Sequence, residues 1–309
     1  MKVKELFHLW LEKYAKLGVK MRTYNKYEFI VYIRIIPRFG DLELNQVTTI
    51  SVQEFILNLM KSGNLKDNSP LSVNTVYGII SVLKQGFNLA IVLELINKNP
   101  VNAIKMPKTI EKEVYALSRE EQKIIEQYCL HNKKWNYIGI ILCLYTGIRL
   151  GELLALTWDD IDFENKSLCI KKTAYKCKSN GQNKMIIDTP KTKKSNRVIP
   201  LCDKLLNLLK LSEQYANSKY IISTKNGKII ETRAYQRTFE SILKKCGIKH
   251  YNFHCLRHTF ATRAIELGMN PKTLSEILGH TNVGITLNRY AHSLYEFKVQ
   301  EMNKLSILL

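Results

Sequence analysis

The chain has 309 residues, 45% of them apolar, with 47 Lys+Arg against 27 Asp+Glu and a formal net charge of +20. That length suits two domains with substantial cores, and that charge points to a polyanionic partner, nucleic acid first and a membrane surface second. The membrane falls away because the longest apolar run noted, "IGIILCLYTGI" at 138–148, is too short to span a bilayer.

Residues 1–100 read as helical throughout. The start, "MKVKELFHLWLEKYAKLG", carries Glu5, Glu12 and Lys13 inside its apolar pattern, so it is an amphipathic helix and not a signal peptide. Leu6, Trp10, Leu11 and Tyr14 form one stripe, ended by Gly18. A second helix is predicted from Thr23 toward Ile36, stopped by Pro37 and Gly40. Ser51 and Glu54 have capping-box spacing before "FILNLM". A fourth helix starts at Ser72 and ends before "NKNP". These segments make a small helical bundle. The polar, basic stretch "AIKMPKTIEKEVYALS" (103–118) reads as an interdomain linker ending at a Ser118–Glu121 capping box.

The second half mixes elements. Helices are predicted near 119–131 and 135–146, then short strands "LCIKK", "MIID" and "RVIPL", the last two separated by the turn "TPKTKKSN". Helices resume after Pro200, from Thr232 to Gly247, from about Asn252 to Gly268, and from Pro271 to Gly279. The fold class is therefore mainly α with a small antiparallel β-sheet: a helical domain, then a mixed α+β one. The seven cysteines include no C-x-x-C pair, so they read as small core residues of a reducing cytosol, neither a disulfide frame nor a zinc site.

Three polar clusters stand out. In "TGIRLGELLAL", Arg149 follows an apolar helix and Glu152 lies three residues on; a structural Arg–Glu pair would look the same. In "FHCLRHTFATRAIELG", His254 and Arg257 share a helix face that could present imidazole and guanidinium to one phosphate. A capping histidine with a surface arginine is the plainer reading, and a His254/His258 metal site is a weaker one. In "NPKTLSEILGHTNVGITLNRYAH", His280 follows Gly279 and Tyr290 comes ten positions later. The same segment resembles a helix-turn-helix in which Tyr290 is an aromatic anchor.

Together the clusters form one chemistry. Attack on a phosphodiester builds negative charge on its non-bridging oxygens, and fixed cations should face that charge. Arg149, Arg257, His254 and His280 supply such a set. A tyrosine serves as nucleophile when its proton is taken or its phenolate stabilised, and a lysine can protonate the leaving oxygen. Lysines crowd "TPKTKKSN". No acidic cluster is placed for Mg²⁺, so no metal is expected.

The motifs "TGIRLGELLAL", "HCLRHTFAT" and "LGHTNVGITLNRYAH", in this order, resemble those of the tyrosine recombinase (phage integrase) family. The resemblance covers the whole chain. It implies a core-binding, SAM-like DNA-binding domain at 1–105, a linker at 106–113 and a catalytic domain at 114–309 with a helical tail at about 293–309. It implies Tyr290 as the nucleophile that forms a 3′-phosphotyrosine bond and frees a 5′-hydroxyl. Arg149 and Arg257 would clamp the scissile phosphate. His254 would hydrogen-bond it and assist proton removal, His280 would complete the pocket, and Glu152 would support the geometry. The family's lysine sits on a β-hairpin, which "PKTKKSNRVIPL" matches; Lys191 is the assignment, with Lys193 and Lys194 close by. No cofactor is implied. The implied partner is double-stranded DNA carrying specific recombination sites, joined by four protomers through a Holliday junction, with accessory DNA-bending or directionality proteins in addition. The apolar tail, with Leu294, Phe297 and Leu305, would dock on a neighbouring protomer or on its own core. The expected location is the cytoplasm, on the nucleoid. The chain starts directly with the helical bundle, without the arm-binding domain of many integrases, so a resolvase, an invertase and a compact integrase all fit. Two other functions compete: a DNA-binding protein without chemistry, and a type IB topoisomerase, which shares the pocket but does not choose a site.

Overall fold

The computed structural model describes residues 1–108, 115–132, 134–179, 182–189, 196–289, 299 and 302–303. Two compact units divide the chain: Met1–Lys112 with Cys177–Gln182, and Glu113–Lys176 with Asn183–Leu309.

The first unit is built from four helices among the described residues. Helix α1 (residues 3–18) and helix α2 (residues 21–39) each contain a π-helical segment, Trp10–Ala15 and Val31–Ile35. These segments change two sequence expectations. Each turn of π-helix takes up extra residues, so the stripe slips: Leu6, Trp10 and Leu11 are buried as expected, but Tyr14 is exposed and Ala15 takes the inner place. In α2 the wide turn also admits Pro37, because the Ile36 amide bonds Val31 five residues back. The helix starts at Met21, two residues earlier than predicted, and passes through Pro37 to end at Phe39, capped by Gly40.

Helix α3 (Thr49–Ser62) is capped by Thr48 and Ser51, not by Ser51 and Glu54. The Ser51 amide donates to Thr48 Oγ1 at 3.2 Å and the Thr48 amide to Ser51 Oγ at 3.1 Å. Helix α4 (Val73–Val92) starts after Ser72 as predicted but stops short of Ile96, where Glu94 turns to φ +57. By length and composition α4 is apolar enough to cross a membrane, which the 138–148 run is not, yet half of it is buried inside the protein. Gly86 of α4 lies under the Phe7 ring, and Phe7 meets Phe87 edge-on at 6.4 Å between centroids.

The second unit opens with α5 (Arg119–His131), and its predicted capping box is present: Ser118 N–H to Glu121 at 2.8 Å and Glu121 N–H to Ser118 Oγ at 3.1 Å. Helix α6 (Ile138–Thr146) is apolar on nearly all sides and correspondingly buried, the centre of the core. A short helix α7 (Leu150–Ala155) follows, then strands β1 (Ile161–Asp162) and β2 (Ser167–Ile170). Strands β3 (Thr173–Ser179) and β4 (Gln182–Asp188) pair as a two-stranded sheet. Strand β5 (Arg197–Pro200) joins the other sheet, of order β1-β2-β5, antiparallel with Leu168 opposite Ile199 and Ile170 opposite Arg197.

Among the described residues there are thus two small antiparallel sheets where the sequence pointed to one, and β3 is an addition to the expected strands. The lysine-rich turn "TPKTKKSN" lies almost wholly outside the described residues, and the strands that flank it pair with other strands. Strand β4 pairs with β3, and β5 pairs with β2. Helices α8 (Asp203–Gln214), α9 (Thr232–Lys245), α10 (Cys255–Glu266), α11 (Pro271–Leu278) and α12 (Val283–Arg289) complete the described fold. The predicted tail residues Leu294, Phe297 and Leu305 lie outside the described residues. Of the cysteines, Cys129, Cys143, Cys177 and Cys255 are buried, and Cys202 is exposed against expectation.

Candidate active site

The site is organised around the C-terminal end of α11. Asn270 caps the start of this helix through the Lys272 amide, at 2.8 Å. Gly279 ends it in the left-handed conformation, φ +64. The His280 amide then reaches back to the Ser275 carbonyl at 3.0 Å, closing the helix as a Schellman motif does. The last carbonyls of a helix have no partner within it and carry its negative dipole end. Here three consecutive carbonyls each accept from a different arginine. Arg197 Nε donates to Ile277, Arg257 Nη2 to Leu278 at 2.8 Å, and Arg149 Nη2 to Gly279 at 3.2 Å.

Each arginine comes from a different element. Arg149 precedes α7, placed there by Gly147, which ends α6 at φ +64. A Cβ at Gly147 would come within 2.5 Å of Phe260 and 2.7 Å of Leu278, so only glycine fits this bend. Arg257 lies in the first turn of α10 and is 2% exposed. Its Nη1 donates to the Gly147 carbonyl at 2.8 Å, so one guanidinium ties the ends of α6 and α11 together. Arg197 starts β5 and is brought to the site by the pairing of β5 with β2.

Glu152 joins two of these arginines. It accepts from Arg149 Nη1 at 2.8 Å and from Arg197 at 3.1 and 2.8 Å, one bond to each carboxylate oxygen. It also accepts the Arg149 amide at 2.9 Å, as an acidic residue in the first helical turn does. Burial pushes the Glu152 carboxyl up, but hydrogen bonding to Arg197 and the charges of Arg197 and Arg149 outweigh it and bring it down to about 2. The cluster holds three guanidinium cations and one carboxylate, which pairs with two of them, so it keeps an excess of positive charge. Of the two arginines on Glu152, Arg149 is the accessible one, with a side chain 36% exposed against 6% for Arg197.

His280 sits beside this cluster, half-buried, with Nδ1 2.7 Å from the Thr286 hydroxyl of α12. His254 stands at the start of α10, exposed, without a side-chain capping bond. Its ring meets that of His258 edge-on, centroids 4.6 Å apart. Among the described residues no group of three or more His, Cys, Asp or Glu is gathered as metal ligands. The structure therefore brings Arg149, Glu152, Arg257 and His280 together, and it adds Arg197, which motif reading did not single out. Tyr290, Lys191, Lys193 and Lys194 lie outside the described residues. The helix-turn-helix resemblance has a real counterpart in the α11–α12 pair, but the turn between them serves the arginine cluster.

Comparison with known proteins gives these residues a context. The phage integrase family model matches residues 115–296, and the N-terminal SAM-like domain of phage integrases matches residues 2–60. The chain is 32% identical over 333 aligned positions to a XerC-like tyrosine recombinase of Caldanaerobacter subterraneus subsp. tengcongensis, covering 98% of this chain and 82% of that protein. It is similar in structure to the Tn1549 transposon integrase in complex with a circular intermediate DNA, with TM-score 0.82, 26% identity and 99% of each chain covered. The fold is shared by lambda integrase, seen as a tetramer bound to a Holliday junction, with TM-score 0.71 and 21% identity over 91% of this chain and 78% of that one. With its catalytic-domain match spanning more than half its length, the chain belongs to the phage integrase family: it is a tyrosine-type site-specific recombinase, an enzyme that breaks and rejoins DNA.

Proposed function

We propose that the arginine cluster at the end of α11 is the scissile-phosphate site and that Tyr290 is the nucleophile. The observation that carries this reading is the anchoring of Arg149, Arg197 and Arg257 on three successive main-chain carbonyls. Cations held this way are set before substrate arrives and need no reorganisation as charge develops, which is how electrostatic stabilisation is most effective. Arg149 and Arg257 supply the positive charge to the phosphate, with His254 and His280 as hydrogen-bonding neighbours. Glu152 acts on Arg149 and does not touch DNA.

In the proposed step the Tyr290 phenol oxygen attacks phosphorus, its proton passing toward His254. The bond from phosphorus to the 5′-oxygen breaks, and Lys191 protonates that oxygen. The 3′-phosphotyrosine ester retains the energy of the broken phosphodiester, so a 5′-hydroxyl from another strand reseals it without ATP or metal. Residues 1–105 serve as the core-binding domain, 106–113 as linker and 114–309 as catalytic domain. The substrate is duplex DNA with a specific core site, and four protomers exchange strands between two sites through a Holliday junction, the C-terminal tail passing between neighbours.

A DNA duplex nicked next to the cleavage position tests this directly, since the short fragment diffuses away and traps the covalent adduct. Wild type accumulates protein–DNA adduct, and Tyr290→Phe accumulates none. An adduct with Tyr290→Phe would remove the tyrosine from its role.

A further inference from the structure

The Thr286 side chain is fully buried in α12, and its hydroxyl lies 2.7 Å from Nδ1 of His280. Among the described residues this hydroxyl meets no other hydrogen-bond partner. A threonine hydroxyl has one hydrogen to donate, and a neutral imidazole has one nitrogen that donates and one that accepts. If Nδ1 carried the hydrogen, Thr286 would accept it, and its own hydroxyl hydrogen would be buried without an acceptor. Burying a donor without a partner is the costly alternative. If Thr286 donates to Nδ1, both groups are satisfied and the ring hydrogen must sit on Nε2.

We propose that Thr286 is a positioning residue that holds His280 in its Nε2–H tautomer, with Nε2–H as the hydrogen-bond donor to a non-bridging phosphate oxygen. A donor at that place stabilises the charge gained in the transition state, whereas an unprotonated Nε2 would repel it. The main chain contributes as well: the His280 amide bond to Ser275 fixes where the imidazole starts, and Thr286 fixes which way it turns. Thr286 precedes Tyr290 by four positions, so the same bond links the phosphate site to the helix that leads into the nucleophile.

This inference rests on the reading of His280 as part of the phosphate pocket. Three variants in the nicked-duplex assay keep the two apart. Thr286→Val preserves shape and removes the hydroxyl; Thr286→Ser keeps the hydroxyl and removes a methyl. The expected result is a loss of about tenfold to hundredfold in cleavage rate for Thr286→Val, with DNA affinity unchanged and most of the rate restored in Thr286→Ser. If Thr286 only fills space, Ser is the worse variant, and that order overturns the proposal. His280→Ala should slow cleavage and abolish the further effect of Thr286→Val. A His280→Ala enzyme with wild-type rate would instead overturn the pocket reading. ¹⁵N-histidine NMR of the full chain gives a readout independent of activity. His280 carries its hydrogen on Nε2 in wild type and in Thr286→Ser; a wild-type signal with the hydrogen on Nδ1 would overturn the assignment.

Discussion

Arg149 and Arg197, 48 positions apart in the sequence, hold the two oxygens of the same Glu152 carboxylate. The pair is unequal. Arg197 is buried with Glu152, while Arg149 keeps part of its guanidinium open. Arg197 therefore stabilises the carboxylate that in turn orients Arg149 toward solvent.

Removing Arg197 should be costly although it does not reach the surface. Arg197→Ala leaves Glu152 with one arginine and the Ile277 carbonyl without its donor. Breaking a buried pair from one side costs about 3–5 kcal/mol. Urea denaturation is expected to show a loss of this size, with cleavage falling even where the variant remains folded. A loss under about 1 kcal/mol would mean that the buried pair is not coupled to the fold.

Glu152 should also mark the acid limb of stability. Its carboxyl lies at about 2 in the folded chain against an ordinary 4.5. A depressed folded value contributes stability that is fully present above the unfolded value and is lost as pH falls toward the folded one. The loss belongs between about pH 4.5 and about pH 2, and a shift of this size corresponds to about 3 kcal/mol. Glu152→Gln is expected to flatten the stability curve in that window while lowering stability at neutral pH. An unchanged acid slope would show that other carboxylates govern it.

Gly147 and Gly279 should tolerate no side chain. Both sit at φ +64; a Cβ at Gly147 meets Phe260 at 2.5 Å, and one at Gly279 meets Arg197 at 3.1 Å. Left-handed backbone costs an L residue about 1–2 kcal/mol before any collision. Gly147→Ala is expected to lower stability by more than that. Gly279→Ala is expected to lose mainly cleavage, since the neighbour that must yield is the Arg197 side chain. Thermal melts and adduct yields measured together distinguish the two outcomes.

Much of this site can be read from the sequence, and the part that cannot has a common cause. Arg149, Glu152, Arg257 and His280 lie in compact motifs whose local spacing reports on their geometry. Arg197 does not, because only the β2–β5 pairing carries it to α11. Hydrophobic periodicity located most helices, but it assumes a constant turn, so the π-helical segments of α1 and α2 misplaced Tyr14 and Pro37. Strand β3 was missed because Lys176 alternates with buried Tyr175 and Cys177, and so basic a stretch reads as a loop. The carbonyls of Ile277, Leu278 and Gly279 leave no trace in residue type.

DNA binding should be strongly salt-dependent. With a formal charge of +20, the chain is expected to neutralise several phosphates and release their counterions. Affinity for a core-site duplex should fall roughly a thousandfold or more between about 50 mM and about 200 mM salt. Titrations at several salt concentrations check this; a flat response would exclude phosphate contacts as the main source of affinity.

Main-chain acceptors also determine which kinds of genetic change the site can survive. No point substitution deletes the carbonyl of residue 277, 278 or 279, so these anchors persist through drift in the side chains around them. A single-residue insertion or deletion within 271–277 is different. It would rotate the end of α11 by about 100° and unseat three arginines together, while leaving every motif residue in the gene. An enzyme inactivated this way would still look intact to a motif search.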